Sequence, residues 1–233
     1  MQTWRAVSGS GLRLTAEHVR RGLPFPVGVG IRYKSDGEVL GLHPLEEAVL
    51  GPTALERRRV YFGLGRAAAR DALAELGIHE VAIGRGSAGE PLWPDGIVGA
   101  ITHAGDVAVA VVGRRSDYSG LGLDVEELAR GPSARAARLV CRPAEMEWAA
   151  VESGTRRLTT IFSAKEAVFK ALFPLERVWL GFGDAELTWV PERCGFDARL
   201  LKRAADTYPI GAVLPVYCTI TDTQVLSATY CVR

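Results

Sequence analysis

The sequence has no long hydrophobic run, no secretory leader and almost no net charge. No apolar stretch in its 233 residues approaches the ~20 residues of a membrane-spanning helix. The opening residues, MQTWRAVSGSGLRL, lack the charged-then-apolar order of a secretory signal. The formal net charge is +1, so no overall field attracts nucleic acid or a membrane surface. These absences predict a cytoplasmic protein without nucleic-acid or membrane partners, which must bind any anion through local basic groups.

Cysteine is scarce and scattered. The four cysteines show neither a C-x-x-C motif nor the paired spacing of a zinc site: Cys141, Cys194, Cys218 and Cys231. Because structural disulfides are rare in cytoplasmic proteins, we predict reduced and mostly buried thiols.

Short β-branched runs alternate irregularly with helical segments. IVGAITH and VAVAVVG, separated by AGD, predict two strands joined by a tight turn, and GLGLDVEEL predicts a third strand. PTALERRRVYFGLGRAAARDALAELG predicts a helix that starts near Pro52 and Thr53 and ends before Gly77. SARAARLVCRPAEMEWAAVE is helical but interrupted at Pro143. The order favours an α+β fold over a doubly wound parallel sheet, and no internal repeat is visible.

The segment IFSAKEAVFKALF predicts an amphipathic helix with charges on one face. Ala164, Val168, Ala171 and Leu172 fall on one arc, which should face the core. Glu166 and Lys170 share another arc with Ser163, and in the simplest interpretation form an exposed ion pair worth about 0.3 kcal/mol. Phe162 and Phe173, however, lie on the side of Glu166, and a covered carboxylate requires a cation.

The strand segment GLDVEEL places Asp124 and Glu126 on one face, opposite Leu123 and Val125. Two residues along a strand span roughly 6.5–7 Å, so the carboxylates repel each other unless a cation or water lies between them. This leaves two interpretations, a solvated acidic face on an edge strand or a metal site. Together with Glu166, the pair would suit Mg²⁺ or Mn²⁺, which retain waters and take a phosphate from the substrate. Lys165 and Lys170 would then be phosphate ligands.

The order and spacing of these two segments resemble a known family signature. GLDVEEL, followed about forty residues later by FSAKEAVFKAL, is similar to the paired motifs of the 4′-phosphopantetheinyl transferases. RRRVYFGLGRAAARDAL and GEPLWPDGIVGAITHAGDVAVAVVGRR upstream, and FPLERVWLGFGDAELTW downstream, resemble the monomeric, surfactin-type members, including the enterobactin-type and mycobacterial subgroup. The resemblance covers roughly residues 45–190.

The resemblance implies a reaction and an architecture. Family members move the 4′-phosphopantetheine arm of coenzyme A to a serine of an acyl- or peptidyl-carrier protein and release adenosine 3′,5′-bisphosphate. The implied fold is α+β, with two similar halves, a monomeric state and the active site between the halves. We expect residues 1–115 to supply coenzyme A contacts and residues 116–233 the metal-binding and catalytic motifs. Whether the carrier serves fatty-acid, polyketide or peptide synthesis stays open.

The resemblance also implies residue roles. Asp124, Glu126 and Glu166 match the Mg²⁺ ligands. Glu166, directly or through a metal-bound water, is the candidate general base, and Lys170 matches a phosphate-contacting lysine, so that Asp124, Glu166 and Lys170 form the catalytic set. The expected coenzyme A ligands are Arg58, Arg66, Arg85, Thr102, His103, Lys165 and Lys170. Arg59 replaces Arg58 if the helix register slips by one residue.

Two other functions remain as alternatives. A Mg²⁺-dependent nucleotide hydrolase would explain the carboxylates but not the upstream match. A module that binds coenzyme A and carrier proteins without catalysis would not need the complete set of carboxylates and lysines. The basic residues between Glu127 and Ala150 are either a carrier-docking surface or a solvated helix face: Arg130, Arg135, Arg138 and Arg142.

Overall fold

The computed structural model describes residues 13–36, 41–51, 54–152 and 154–232. The helices are α1 (Ala16–Arg20), α2 (Pro44–Leu50), α3 (Glu56–Glu75), α4 (Ala134–Val140), α5 (Pro143–Ala150) and α6 (Arg156–Glu176). The strands are β1 (Gly28–Tyr33), β2 (Gly84–Arg85), β3 (Pro91–Leu92), β4 (Ile97–Ala104), β5 (Val107–Arg114), β6 (Gly120–Glu127), β7 (Ala185–Val190), β8 (Gly195–Leu200), β9 (Val213–Ile220) and β10 (Gln224–Cys231).

The strands form two antiparallel sheets and a short ribbon. The first sheet has the order β1-β5-β4 and the second β6-β10-β9-β8-β7, while β2 pairs with β3. The predicted β4–β5 hairpin, the predicted strand β6 and the α+β class are confirmed. Helix α3 ends as predicted, with Leu76 as its C-cap and Gly77 at a φ of +76°. The predicted start at Pro52 and Thr53 lies outside the described residues.

The two sheets face each other across a shared core. Val29 and Val109 of the first sheet pack in one cluster with Leu123, Val125 and Leu226 of the second. Helix α3 covers the outer face of the first sheet and α6 covers the outer face of the second. The predicted core arc of α6 is confirmed because its four members are at most 1% exposed: Ala164, Val168, Ala171 and Leu172.

The same close packing of a helix on a strand occurs in each half. The first strand of each sheet carries two glycines, and a Cβ added to any of them would lie 1.8–2.1 Å from a carbonyl oxygen of the covering helix. The close approaches are Gly28 to Ala72, Gly30 to Ala68, Gly120 to Ala171 and Gly122 to Ala167. The sequence showed no repeat because the shared elements are only a G-x-G and an A-x-x-x-A. Their equal spacing shows that α3 lies on β1 as α6 lies on β6.

The edge strands β4 and β6 lie side by side and join the two halves. The backbone N–H of Val125 in β6 donates to Oγ1 of Thr102 in β4, at 3.2 Å. This contact brings the ends of both strands to one groove, which α3 and the β2–β3 ribbon border on one side and α6 on the other. Within the described residues, no helix is both long and apolar enough to cross a membrane.

Candidate active site

Asp124 lies on β6, two residues before the groove-lining Glu126, and is buried. Its Oδ1 accepts hydrogen bonds from Nζ of Lys170, at 2.7 Å, and from Oγ1 of Thr102, at 3.1 Å. Its Oδ2 is buried without a hydrogen-bond partner. A buried carboxylate oxygen that accepts no hydrogen bond destabilises the folded protein unless a ligand supplies the missing contact. Strand β6 is an edge strand, as the interpretation of a solvated acidic face requires, but that face is not solvated at Asp124, which is only 3% exposed.

The three predicted carboxylates influence one another. Burial raises the pKa of Glu126 to about 7, and the charge of Asp124 adds to the increase. Burial also raises the pKa of Glu166, against the opposing effect of Lys170, and the charge of Asp124 raises it further. Among the described residues, no three acidic, histidine or cysteine side chains form a ready-made metal site. Asp124, Glu126 and Glu166 therefore influence one another electrostatically but do not converge as a set of three metal ligands.

Thr102 supports Asp124 instead of facing solvent. Its hydroxyl donates to Asp124 and accepts from the backbone of Val125, and the residue is only 5% exposed. The hydroxyl hydrogen of Thr102 is thus used within the protein, and its contact with coenzyme A stays a prediction. A hydroxyl can donate one hydrogen, and here the carboxylate of Asp124 accepts it. Its role is to fix the orientation of Asp124 from the neighbouring half.

Lys165 has a buried side chain, although the residue also lines a small pocket together with Glu166. Its ammonium donates to Glu145 at 2.7 Å and to the carbonyl oxygens of Val140 and Phe182 at 2.8 Å each. The side chains of this ion pair are 2% and 1% exposed. All three ammonium hydrogens are used, so the predicted phosphate contact of Lys165 is wrong. The sequence pattern placed Lys165 beside Glu166, but successive helix residues point about 100° apart.

A basic cleft of about 740 Å³ occupies one end of the groove. Arg66 is anchored there, since its guanidinium donates to the carbonyl oxygens of Ile83 and Gly84 at 2.8 and 3.0 Å. Burial lowers the pKa of Arg66 to about 10, and the nearby positive charge of Arg85 contributes. Arg59 faces away and donates to the carbonyl oxygen of Gly51, which excludes the alternative helix register. The charged residues that line the cleft are Arg57, Arg58, Arg66, Arg85, His103, Glu126, Glu127 and Arg130.

His103 stands at the wall of the basic cleft, stacked on Tyr61. The ring centroids are 4.9 Å apart, and Nζ of Lys34 lies 4.0 Å from the centroid of Tyr61. Desolvation lowers the pKa of His103, and the charges of Lys170 and Lys34 act in the same direction. Arg57 and Lys34 were not among the site residues predicted from the sequence. Arg57 directly precedes Arg58 in the same basic run, whereas nothing in the sequence around Lys34 indicates that it approaches Tyr61.

An aromatic cavity of about 440 Å³ occupies the other end of the groove. Trp93, Phe173 and Trp179 form much of its wall, and Lys170 lies in its lining. Gly89, Pro91 and Ile101 line both this cavity and the basic cleft, so the two spaces adjoin. A smaller pocket of about 260 Å³ lies beside Glu166 and shares Phe169 and Trp179 with the aromatic cavity.

Comparison with known proteins identifies the family. The model of the 4′-phosphopantetheinyl transferase N-terminal domain matches residues 45–113, and that of the 4′-phosphopantetheinyl transferase superfamily matches residues 120–209. The 4′-phosphopantetheinyl transferase PptT of Mycobacterium tuberculosis is 39% identical over 174 residues, covering 70% of this chain and 73% of that protein. The chain belongs to the 4′-phosphopantetheinyl transferases.

Other transferases of this family are similar over shorter spans. The 4′-phosphopantetheinyl transferase Npt of Nocardia iowensis is 40% identical over 153 residues, covering 65% of this chain and 68% of that protein. Enterobactin synthase component D of Salmonella typhimurium is 34% identical over 149 residues, covering 58% of this chain and 57% of that protein. The predicted resemblance to the mycobacterial and enterobactin-type group is therefore confirmed. The match to the first model includes Arg58, Arg66, Arg85 and His103 of the basic cleft, and that to the second includes the three carboxylates and Lys170.

Proposed function

We propose that this transferase moves the 4′-phosphopantetheine arm from coenzyme A to a serine hydroxyl of an apo acyl- or peptidyl-carrier protein. The observation that carries the proposal is one groove with a cluster of cations at one end, together with a buried, partnerless carboxylate oxygen on Asp124, whose other oxygen bonds the groove-lining Lys170. The cluster of cations suits the phosphates of coenzyme A, and the partnerless carboxylate oxygen suits a divalent cation. The boundary at residues 115 and 116 between the halves, a monomeric state and a cytoplasmic location belong to the same proposal.

The basic cleft is the proposed site of the 3′-phosphate. Arg58, Arg66, Arg85 and His103 face it together, and guanidinium groups bind phosphate through paired hydrogen bonds. Arg66 already donates to two backbone carbonyls, so it holds a fixed position before any ligand arrives. The adjoining aromatic cavity offers the adenine ring apolar and aromatic walls, and the small pocket beside Glu166 offers space for the pantetheine arm.

Asp124, Glu126 and Glu166 are the proposed ligands of Mg²⁺, for which Mn²⁺ could substitute. Their fit rests on the orphaned Oδ2 of Asp124. Burial raises the pKa of both glutamates, and the charge of Asp124 adds to each increase. An incomplete set of protein ligands suits Mg²⁺, which usually retains water and takes substrate phosphate. When bound, the ion would neutralise charge on the pyrophosphate and its leaving group.

The remaining chemistry is assigned to Glu166 and Lys170. The serine Oγ attacks the β-phosphorus, the bond from that phosphorus to the bridging oxygen breaks, and adenosine 3′,5′-bisphosphate leaves. Glu166 accepts the serine proton, and its raised pKa brings this carboxylate closer to the operating pH of a general base. Lys170 gives one hydrogen to Asp124 and keeps two for phosphate oxygens, because its side chain is 26% exposed.

The carrier protein is proposed to dock beside α4. Arg135 and Arg138 are exposed on this helix, and so is Leu139, at 75%. A mixed basic and apolar surface complements a carrier that presents an acidic helix. Arg142 is not part of this surface, since it donates to the carbonyl oxygen of Gly183 and pairs with Glu186.

Intact-mass spectrometry of an apo carrier protein tests the proposed function. Incubation with the transferase, coenzyme A and Mg²⁺ should add one phosphopantetheine unit to the carrier. We expect Glu166→Gln and a chelator each to slow the transfer at least a hundredfold, the range in which a lost base or charge-stabilising group falls. The matched control is Glu47→Gln, an exposed glutamate outside the groove, which should retain full activity. Cleavage of coenzyme A without a mass gain on the carrier would favour the hydrolase instead.

A further inference from the structure

A turn of the β2–β3 ribbon separates the basic cleft from the aromatic cavity. The turn closes through a hydrogen bond from the backbone N–H of Gly89 to the carbonyl oxygen of Gly86, at 3.0 Å. Gly89 has a φ of +95°, and a Cβ added to it would lie 3.0 Å from the guanidinium of Arg85. The positive φ favours glycine at this position. The cleft thus lies on one side of the turn, with Arg85, and the cavity on the other.

On the cavity side, Arg177 connects this turn to the end of α6. Its guanidinium donates to Oε1 of Glu90 at 2.5 Å and to Oγ of Ser87 at 3.0 Å. Arg177 is the C-cap of α6 and has left-handed backbone angles, with a φ of 56°. The guanidinium also lies 5.4 Å from the ring centroid of Phe173, which lines the cavity. One side chain therefore contacts the rim of the cavity, its wall and the opposite half of the molecule.

We propose that Arg177 and Glu90 form a latch over the aromatic cavity that sets how long coenzyme A stays bound. The proposal rests on the proposed function, because it takes coenzyme A as the molecule in the groove. Both residues line the cavity, and the ion pair joins the ribbon of the first half to the helix that carries Glu166 and Lys170. The Arg177 side chain is 53% exposed, so the pair is weak enough to break at each turnover.

The latch is tested by the dissociation rate of coenzyme A in stopped-flow displacement of a fluorescent coenzyme A analogue. Arg177→Gln and Glu90→Gln should each speed dissociation about three- to fivefold and raise the KM for coenzyme A, with kcat for carrier modification unchanged. Arg177→Gln/Glu90→Gln should be no faster than either single variant, since both remove the same contact. Arg177→Lys, which keeps the charge, should recover most of the wild-type rate.

The control is Arg203→Ala. Arg203 forms a similarly exposed pair with Glu176, next in sequence to Arg177, but lies outside the lining of the groove and should leave the rate unchanged. Because salt screens exposed pairs, the rate difference between wild type and Arg177→Gln should vanish near 1 M NaCl. Wild-type dissociation rates in both single variants, or additive effects in the double variant, would overturn the latch. Absence of carrier modification by the wild type overturns the proposed function instead, and the dissociation rates still decide the latch.

Discussion

The charged side chains of α6 lie in different environments although they are neighbours in sequence. The ammonium of Lys165 is buried with Glu145, although the residue lines the small pocket beside Glu166, whereas Lys170 lines the aromatic cavity. Glu145 also accepts hydrogen bonds from the backbones of Arg142 and Leu187, so the ion pair ties α5 and β7 to α6. The glutamate that we propose as the base is thus adjacent to a residue that holds three elements together.

Replacement of Lys165 should damage stability before it affects coenzyme A binding. Lys165→Met leaves the carboxylate of Glu145 buried without its counter-charge, which costs about 3–5 kcal/mol of unfolding free energy. Urea denaturation measures the loss, and Lys165→Met/Glu145→Gln should regain part of it. Lys202→Met, at an exposed lysine 3.6 Å from Asp184, is the control and should cost less than about 1 kcal/mol. Normal stability with weakened coenzyme A binding in Lys165→Met would restore the phosphate contact predicted from sequence.

Glu126 gives the metal-free protein a pH-dependent stability. Its folded pKa of about 7 exceeds the ordinary value of 4.5, so the folded state holds a proton that the unfolded state has released between these values. The stabilisation is complete below pH 4.5 and is lost as the pH rises through 7. In a chelator, we expect Glu126→Gln to be more stable than wild type by about 1–2 kcal/mol at pH 8, after allowance for partial exposure, but not at pH 4. Thermal unfolding at both pH values measures the difference, and an equal effect at both would contradict the shift.

At the scale of elements, the strand–helix contact of β6 and α6 places the site. Gly122 lets α6 approach so closely that Asp124, two residues later on the strand, bonds Lys170 on the helix. Ser163 adds a hydrogen bond from its hydroxyl to the carbonyl oxygen of Asp124, at 3.3 Å. The positions of the groove residues therefore depend on the absence of a side chain at Gly122.

Gly122→Ala should separate the helix from the strand. The new Cβ would lie 1.9 Å from the carbonyl oxygen of Ala167, a backbone atom that only movement of α6 can displace. We expect a loss of at least about 2 kcal/mol in unfolding free energy and a lower rate of carrier modification. Gly183→Ala is the matched control, because no atom lies within 4 Å of its Cβ and φ is not positive there. Equal stability of the two variants would mean that α6 is not held by this contact.

The sequence predicted the elements well and the side-chain directions less well. The alternation in GLDVEEL and the apolar arc of α6 follow from local periodicity, which requires no knowledge of partners. The burial of Lys165 depends on Glu145, twenty residues earlier, and that of Thr102 on a strand from the other half. Such contacts are set by tertiary packing. A motif match alone therefore assigned coenzyme A contacts to two residues whose hydrogen-bonding groups are already used by the protein.

At the scale of the molecule, the two halves share their packing but differ in charge at one pair of positions. Asp124 comes two residues after Gly122 and pairs with Lys170, which directly precedes Ala171. In the first half, the residue two positions after Gly30 is Arg32, and it pairs with Asp71, which directly precedes Ala72. The same ion pair is therefore present twice, with the acid and the base exchanged.

This exchange of charge bears on how many divalent ions the chain would bind. At the positions of Asp124 and Glu126 the first half carries Arg32 and Lys34, and at the position of Glu166 it carries Ala67. Two cations and a methyl group there would repel a divalent ion that three carboxylates would attract. If the three carboxylates are the metal ligands that we propose, a chain whose two halves pack alike would carry one metal site rather than two.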